Sequence, residues 1–289
     1  MYRINTFYES DTAGICRDQI PVSGEGRAEK MKLITLIEDT THGPLKAEHG
    51  LCIYLETEHH KLLFDVGSSD LFLKNARACS VDIEQVDTVV ISHGHEDHGG
   101  GLASFLSVNH HAKIYLQKEA FQKHYAKLPD GPSYIGLDPE LMRHPQVVLL
   151  NGNKRLDDEL ELFTHVPGEC YPTNKNLLKE DFARDTFQHE QHLIIHGEKT
   201  VLLMGCGHKG VLNILQSCPC KPDVVIGGFH LFSPRTGEML PEETVRNLAH
   251  SLPKIIYYTG HCTGSQAFDL LKKEGVDIHA LSTGTELEI

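Results

Sequence analysis

The chain has 289 residues, 40% apolar and 23% charged, the composition of a globular protein with one large domain or two small ones. Forty Asp and Glu against 27 Lys and Arg give a net charge of −13, which argues against nucleic acid or an anionic membrane as partner, because phosphate surfaces attract basic ones. No apolar run approaches the roughly 20 residues of a membrane-spanning helix. The first residues also lack the basic-then-apolar order of a secretory signal, so a cytoplasmic chain with its eight cysteines reduced is expected.

Residues 1–30 are polar and aperiodic and read as an N-terminal extension; the folded domain is expected over 31–289. A first strand begins at Met31. The apolar runs 51–56 and 61–66 flank a polar turn and form a hairpin. A helix follows over 71–78, a buried strand over 87–92, a helix starting at 99 and a strand over 112–116. Residues 126–145 are dense in proline and glycine and read as a long loop or lid. Strands are expected at 146–150 and 160–165, an irregular segment at 167–188, and a hairpin at 193–196 and 200–204. Then strands (223–226, 254–258) alternate with helices (211–217, 241–252, 263–273). Thr263 and Gln266 have the spacing of a capping box, and Gly275 closes the last helix. Hairpins plus crossovers imply mixed sheets covered by helices.

Twenty histidines call for an explanation, and metal is the first candidate. The densest signal is Ser92-His93-Gly94-His95-Glu96-Asp97-His98-Gly99-Gly100-Gly101. As the chain leaves a strand, His93 and His95 project to one side. Asp97 and His98 then offer a second set of ligands from the turn into a helix. Imidazoles and a carboxylate suit Zn²⁺.

This His-x-His-x-Asp-His pattern after a buried strand resembles the metal-binding motif of the metallo-β-lactamase superfamily. The resemblance covers Met31 to the C-terminus and implies an α+β fold, a four-layer αββα sandwich of two mixed sheets with metals at one edge. Further stretches resemble a subfamily known for ribofuranosylaminobenzene 5′-phosphate (dihydropterin) synthase: 46–50 with Glu48 and His49, 63–67 with Asp65, His189-Glu190-Gln191, 205–210 with Cys206 and His208, 227–231 with His230, and 260–264 with His261. Carried over by resemblance, one metal takes His93 and His95 plus a mid-chain histidine. The other takes Asp97, His98 and His261. For the mid-chain ligand and the bridging position, His189 and His208 are favoured, with Cys206 and Glu169 as alternates. Asp65 reads either as the carboxylate behind a ligating histidine or as a turn residue before Gly67. Glu48, His49 and Glu190 enter as supporting or substrate-contacting residues.

Gly205-x-Gly207-x-x-Gly210 has the spacing of a dinucleotide loop, but Asp223 stands at the wrong end of its strand for that role. Cys218 and Cys220 read as loop cysteines, and His59, His60, His110, His111 and His124 as solvated surface. No Gly-x-Ser-x-Gly elbow appears. A di-iron redox role is disfavoured by His95, where the related class has Glu.

The expected function is a metal-dependent hydrolase with two divalent ions, zinc foremost and manganese or iron as alternatives. A metal-bound hydroxide would attack a small anionic ester, a phosphoester by preference. Asp97 would hold the metal, and His230 or a metal-bound water would protonate the leaving group. Helix starts near Gly99, Gly210 and Gly264 favour an anion beside the metals. The alternatives are a transferase joining a dihydropterin diphosphate to an aminobenzene riboside phosphate, and a non-catalytic metal sensor.

Overall fold

The computed structural model describes residues 30–289; the expectation for the N-terminal extension lies outside them, Lys30 apart. In chain order the first strands are β1 (Lys32–Ile37), β2 (Cys52–Glu56), β3 (Lys61–Phe64), β4 (Thr88–Val90) and β5 (Lys113–Gln117). Next come β6 (Tyr125–Leu128), β7 (Gly131–Tyr134), β8 (Val147–Leu150), β9 (Lys154–Arg155), β10 (Leu160–Thr164), β11 (Leu177–Leu178), β12 (Gln191–Ile195) and β13 (Val201–Leu203). The last are β14 (Val224–Ile226), β15 (Phe232–Ser233), β16 (Glu238–Met239), β17 (Ile256–Thr259), β18 (Ile278–Ala280) and β19 (Glu286–Glu288). The helices are α1 (Leu71–Ala78), α2 (Glu96–Gly99), α3 (Leu102–Val108), α4 (Val211–Ser217), α5 (Glu242–Ser251) and α6 (Ser265–Lys273).

Two seven-stranded sheets dominate, ordered β19-β1-β2-β3-β4-β5-β8 and β18-β17-β14-β13-β12-β10-β9. Both are mixed: β1, β2 and β3 pair antiparallel, whereas β3, β4, β5 and β8 run parallel. In the second sheet β10, β12 and β13 are antiparallel and β13, β14, β17 and β18 parallel.

Period-two alternation sorts the side chains into layers. Leu33, Ile53, Leu62, Phe64 and Val90 meet Leu162, Leu193, Val201, Leu203 and Ile226 between the sheets. On the outer face of the first sheet, Ile34, Leu63, Val89 and Ile114 pack on Phe72 and Ala76 of α1 and on Leu102 and Phe105 of α3. On the outer face of the second, Ile194, Leu202, Val225 and Tyr257 pack on α4, α5 and α6 through Val211, Ile214, Val245, Leu248, Ala267 and Leu271. The αββα sandwich is therefore present.

Three expectations need correction. The 126–145 segment is not an irregular lid. Tyr125 pairs with Tyr134 and Lys127 with Pro132 in a hairpin that β11 extends to three strands. Pro132 is tolerated because β7 is an edge strand. The helix after the histidine motif opens at Glu96 rather than Gly99, which puts Asp97 and His98 in its first turn. Thr263 does not cap α6: its hydroxyl accepts the Phe229 N–H at 3.0 Å and bonds Thr259 Oγ1, and the helix starts after Gly264.

Candidate metal centre

The motif leaves β4 where the two sheets come close. Their strand ends meet so tightly that a Cβ on Gly205 would lie 2.2 Å from Ser92 Oγ. Asp65, following β3, takes a left-handed backbone (φ 59°). In that position its carboxylate accepts Ser92 N–H at 2.7 Å, Ser92 Oγ–H at 2.8 Å and His98 Nδ1–H at 2.6 Å. Asp65 thus both turns the chain and accepts a hydrogen bond from a histidine.

Two donor sets converge. In the first, His93 Nε2 lies 3.0 Å from His95 Nδ1 and 3.3 Å from His208 Nε2. In the second, Asp97, His98, Cys206 and His261 gather: His261 Nε2 is 3.2 Å from Asp97 Oδ2, and His98 Nε2 is 3.2 Å from Cys206 Sγ. The sets adjoin, with the His93 and His98 rings 4.2 Å apart.

The far nitrogens fix the tautomers. Ser92 gives its hydroxyl proton to Asp65, so it accepts from His93 Nδ1 at 2.9 Å. His208 Nδ1 donates to Asn174 Oδ1 at 2.6 Å, and Asn174 Nδ2 faces the Tyr171 and His208 carbonyls. His98 Nδ1 donates to Asp65 and His261 Nδ1 to Asp39 at 2.9 Å. In the neutral His93 and His208 rings the proton on the far side leaves a bare lone pair facing inward. Lone pairs about 3 Å apart repel unless a cation stands between them, so the residues fit a divalent metal.

Burial pushes His93 and His208 well below the usual imidazole range, with neighbouring imidazoles adding to it, and holds both neutral. Burial opposes ionisation of Asp97, but His98 and His261 outweigh it and keep the carboxyl well below its usual range. Burial likewise opposes charge on His261, yet its bonds to Asp39 and Asp97 raise it well above the usual range. The place between Asp97 and His261 thus favours positive charge.

His208 lies with His93 and His95, and Cys206 lies in the second set. His189 gathers instead with His95, His124 and Asp185: its Nδ1 accepts the Gly94 N–H at 2.9 Å and its Nε2 donates to Asp185 at 3.2 Å. It pins the backbone between His93 and His95. Glu169 is exposed and joins neither set. Glu190 is buried and accepts the N–H groups of His208 and Lys209 at 2.7 and 3.1 Å, which shapes the His208 loop. Burial still pushes its carboxyl up to about 7 against those two bonds. Glu48 anchors Ser69 through its hydroxyl at 2.6 Å. His49 is half exposed over His261, with Nδ1 3.2 Å from Asp39 and Nε2 3.5 Å from Asp97. His124 is buried, not surface, and its Nδ1 lies 2.9 Å from Asp185.

Sequence reasoning missed Glu38, which accepts the His261 N–H, and also Asp39, Thr173, Asn174 and Asp185. Only the acidic pair after β1 carried a visible signal, two carboxylates at a strand end.

A pocket opens onto these groups. Its wall includes His49, Asp97, Thr173, Cys206, His208, His230, Arg235 and His261. His230 follows β14 with a left-handed backbone (φ 47°), and burial, with His261 nearby, pushes its ring down to about 3.

Residues 45–174 match the family described as Metallo-beta-lactamase superfamily. The fold matches the metallo-β-lactamase fold of its structural neighbours. A curated relative from Methanocaldococcus jannaschii, a 7,8-dihydropterin-6-methyl-4-(beta-D-ribofuranosyl)-aminobenzene-5'-phosphate synthase, is 28% identical over 279 residues, covering 86% of this chain and 93% of its own. Among solved structures, Tm1679, a metal-dependent hydrolase of the beta-lactamase superfamily, is 28% identical. It aligns with a TM-score of 0.74 over 90% of this chain and 99% of its own. YhfI from Bacillus subtilis, at 15% identity and a TM-score of 0.55, covers 90% of this chain and 100% of its own and shares the metallo-β-lactamase fold.

Proposed function

We propose that the protein is a cytoplasmic metal-dependent hydrolase of a small anionic ester, a phosphoester by preference, with two divalent ions, zinc foremost. The observation that carries this reading is the juxtaposition of two inward-facing donor sets with one basic side chain. Arg235 is the only Lys or Arg among the described residues lining the pocket. Bound at the two sets, divalent ions would supply Lewis acidity and ionise water near neutral pH.

The rest falls to the chain. Arg235 sits in the turn between β15 and β16, and its nearest carboxylate, on the half-exposed Glu96, is 3.9 Å away. Its guanidinium fork therefore remains available to a phosphate oxygen. Asp65, Asp39, Asn174 and Ser92 hold the imidazoles at fixed angles, so little reorganisation is left for the reaction itself. A net charge of −13 keeps nucleic acid and anionic membranes out of the proposed partners.

A second reading has specific support, because the Methanocaldococcus jannaschii relative is a synthase matched over most of both chains. In that reading the same metal centre activates a diphosphate for transfer rather than for hydrolysis. Elemental analysis of the purified protein, followed by a panel of phosphate esters, lactones and thioesters, separates the two. Two ions per chain and phosphoester turnover are expected. In His95→Ala turnover should fall at least by the roughly 10²–10³-fold that loss of one charge-stabilising donor costs. Turnover of a dihydropterin diphosphate only when the aminobenzene acceptor is present would favour the transferase, and protein that binds no metal would sink both.

A further inference from the structure

His230 makes two contacts with one residue. Thr173 Oγ1 lies 2.7 Å from the His230 carbonyl and 3.2 Å from His230 Nδ1. A hydroxyl has one proton, and a carbonyl oxygen can only accept. The shorter contact therefore uses the Thr173 proton, and the longer one needs a proton on His230 Nδ1. With the ring buried and its one hydrogen-bond partner at Nδ1, the proton sits there and Nε2 is left with a lone pair. Among the described residues Nε2 has no hydrogen-bond partner, yet it is not one of the solvent-shielded orphan atoms, and His230 lines the pocket. The strained backbone at His230 adds a second sign that this ring is aimed rather than merely packed.

We propose that Thr173 fixes His230 in the tautomer that turns a bare Nε2 to the pocket. His230 then accepts a hydrogen bond from the substrate and selects anionic esters that carry a hydroxyl or N–H donor beside the phosphate. Thr173 is a positioning residue: it acts through His230, holding both its carbonyl and its ring. The expectation that His230 hands a proton to the leaving group is replaced by a role as acceptor. The selection part rests on the hydrolase reading above; the tautomer part does not.

The test uses zinc-loaded protein with ¹⁵N-labelled histidine and long-range ¹H–¹⁵N spectra, the His230 signals being identified by their loss in His230→Gln. The expected result is a protonated Nδ1 and an acceptor-type Nε2. Thr173→Val should shift the ring toward the Nε2-protonated tautomer, and Thr173→Ser should keep the wild-type pattern. With phosphoesters, Thr173→Val should raise KM for a hydroxyl-bearing ester about tenfold more than for p-nitrophenyl phosphate, which has no donor. Thr173→Ser should restore the ratio. A protonated Nε2 in the unmodified protein overturns the proposal, and so does an equal KM change for both esters. If no phosphoester is turned over, the hydrolase reading fails while the spectra still decide the tautomer.

Discussion

The three-histidine set and the Asp97–His98–Cys206–His261 set sit side by side but are backed by different chemistry. Behind the first stand neutral partners, Ser92 and Asn174, and His95 Nε2 is buried with no partner at all. Behind the second stand carboxylates, Asp65 on His98 and Asp39 on His261. The second set also contains an anion of its own, Asp97, and a thiol that a metal would deprotonate. A carboxylate behind an imidazole raises its basicity as a ligand. The second set should therefore bind a cation more tightly, and a softer one, than the first.

The largest effect expected from that contrast is at Cys206. Cys206→Ser replaces a soft donor with a hard, weakly acidic one. Metal content should fall from two ions to one per chain after dialysis against equimolar zinc and manganese, with any ion retained by the second set shifting toward manganese. Unchanged zinc content would mean that Cys206 is not a ligand and that the asymmetry has another source.

A smaller effect is expected one bond further out. Asp65→Asn should weaken zinc binding at the second set by roughly 10–100-fold, the usual loss when a carboxylate behind a ligating histidine is removed. Asn174→Ala, behind the neutral set, should cost less. Calorimetric zinc titration of both variants reads the difference, and equal losses would erase the distinction between the sets.

The same contrast explains what was legible in the sequence. Four donors, His93, His95, Asp97 and His98, come from one loop, so strand periodicity and spacing alone expose them. The other three, Cys206, His208 and His261, come from two other strand ends that meet the first only through the sheet order. Spacing favours both His189 and His208 as ligands, since each lies a few residues from a strand. Their rings differ in a way spacing does not show: the Gly94 N–H takes one nitrogen of His189 and Asp185 the other. The backing residues were harder still. Asp39 reaches His261 across 222 positions and Glu38 meets Thr283 across 245. Layers and most strands were readable because burial imposes a period of two; the 125–134 hairpin was not, because proline and glycine mask that period at an edge.

The smallest effect comes from a histidine that shares burial with the donors and nothing else. His192 stands on β12, facing the α4–α6 layer beside Phe163, and neither ring nitrogen has a partner. Burial alone pushes it down to about 3. Below pH 6.5 the unfolded chain takes up a proton that the folded chain refuses. Stability is therefore lost as pH falls from 6.5 toward 3, at up to about 1.4 kcal/mol per pH unit. His192→Leu removes this term and the orphaned nitrogens. Urea melts should then show a gain over the parent that is larger at pH 5.5 than at pH 7.5 by roughly 1 kcal/mol, with metal content unchanged. A gain equal at both pH values would mean that His192 finds a proton partner in solution. Loss of metal would mean that this imidazole, too, belongs to the centre, and the line drawn here between ligating and merely buried histidines would have to move.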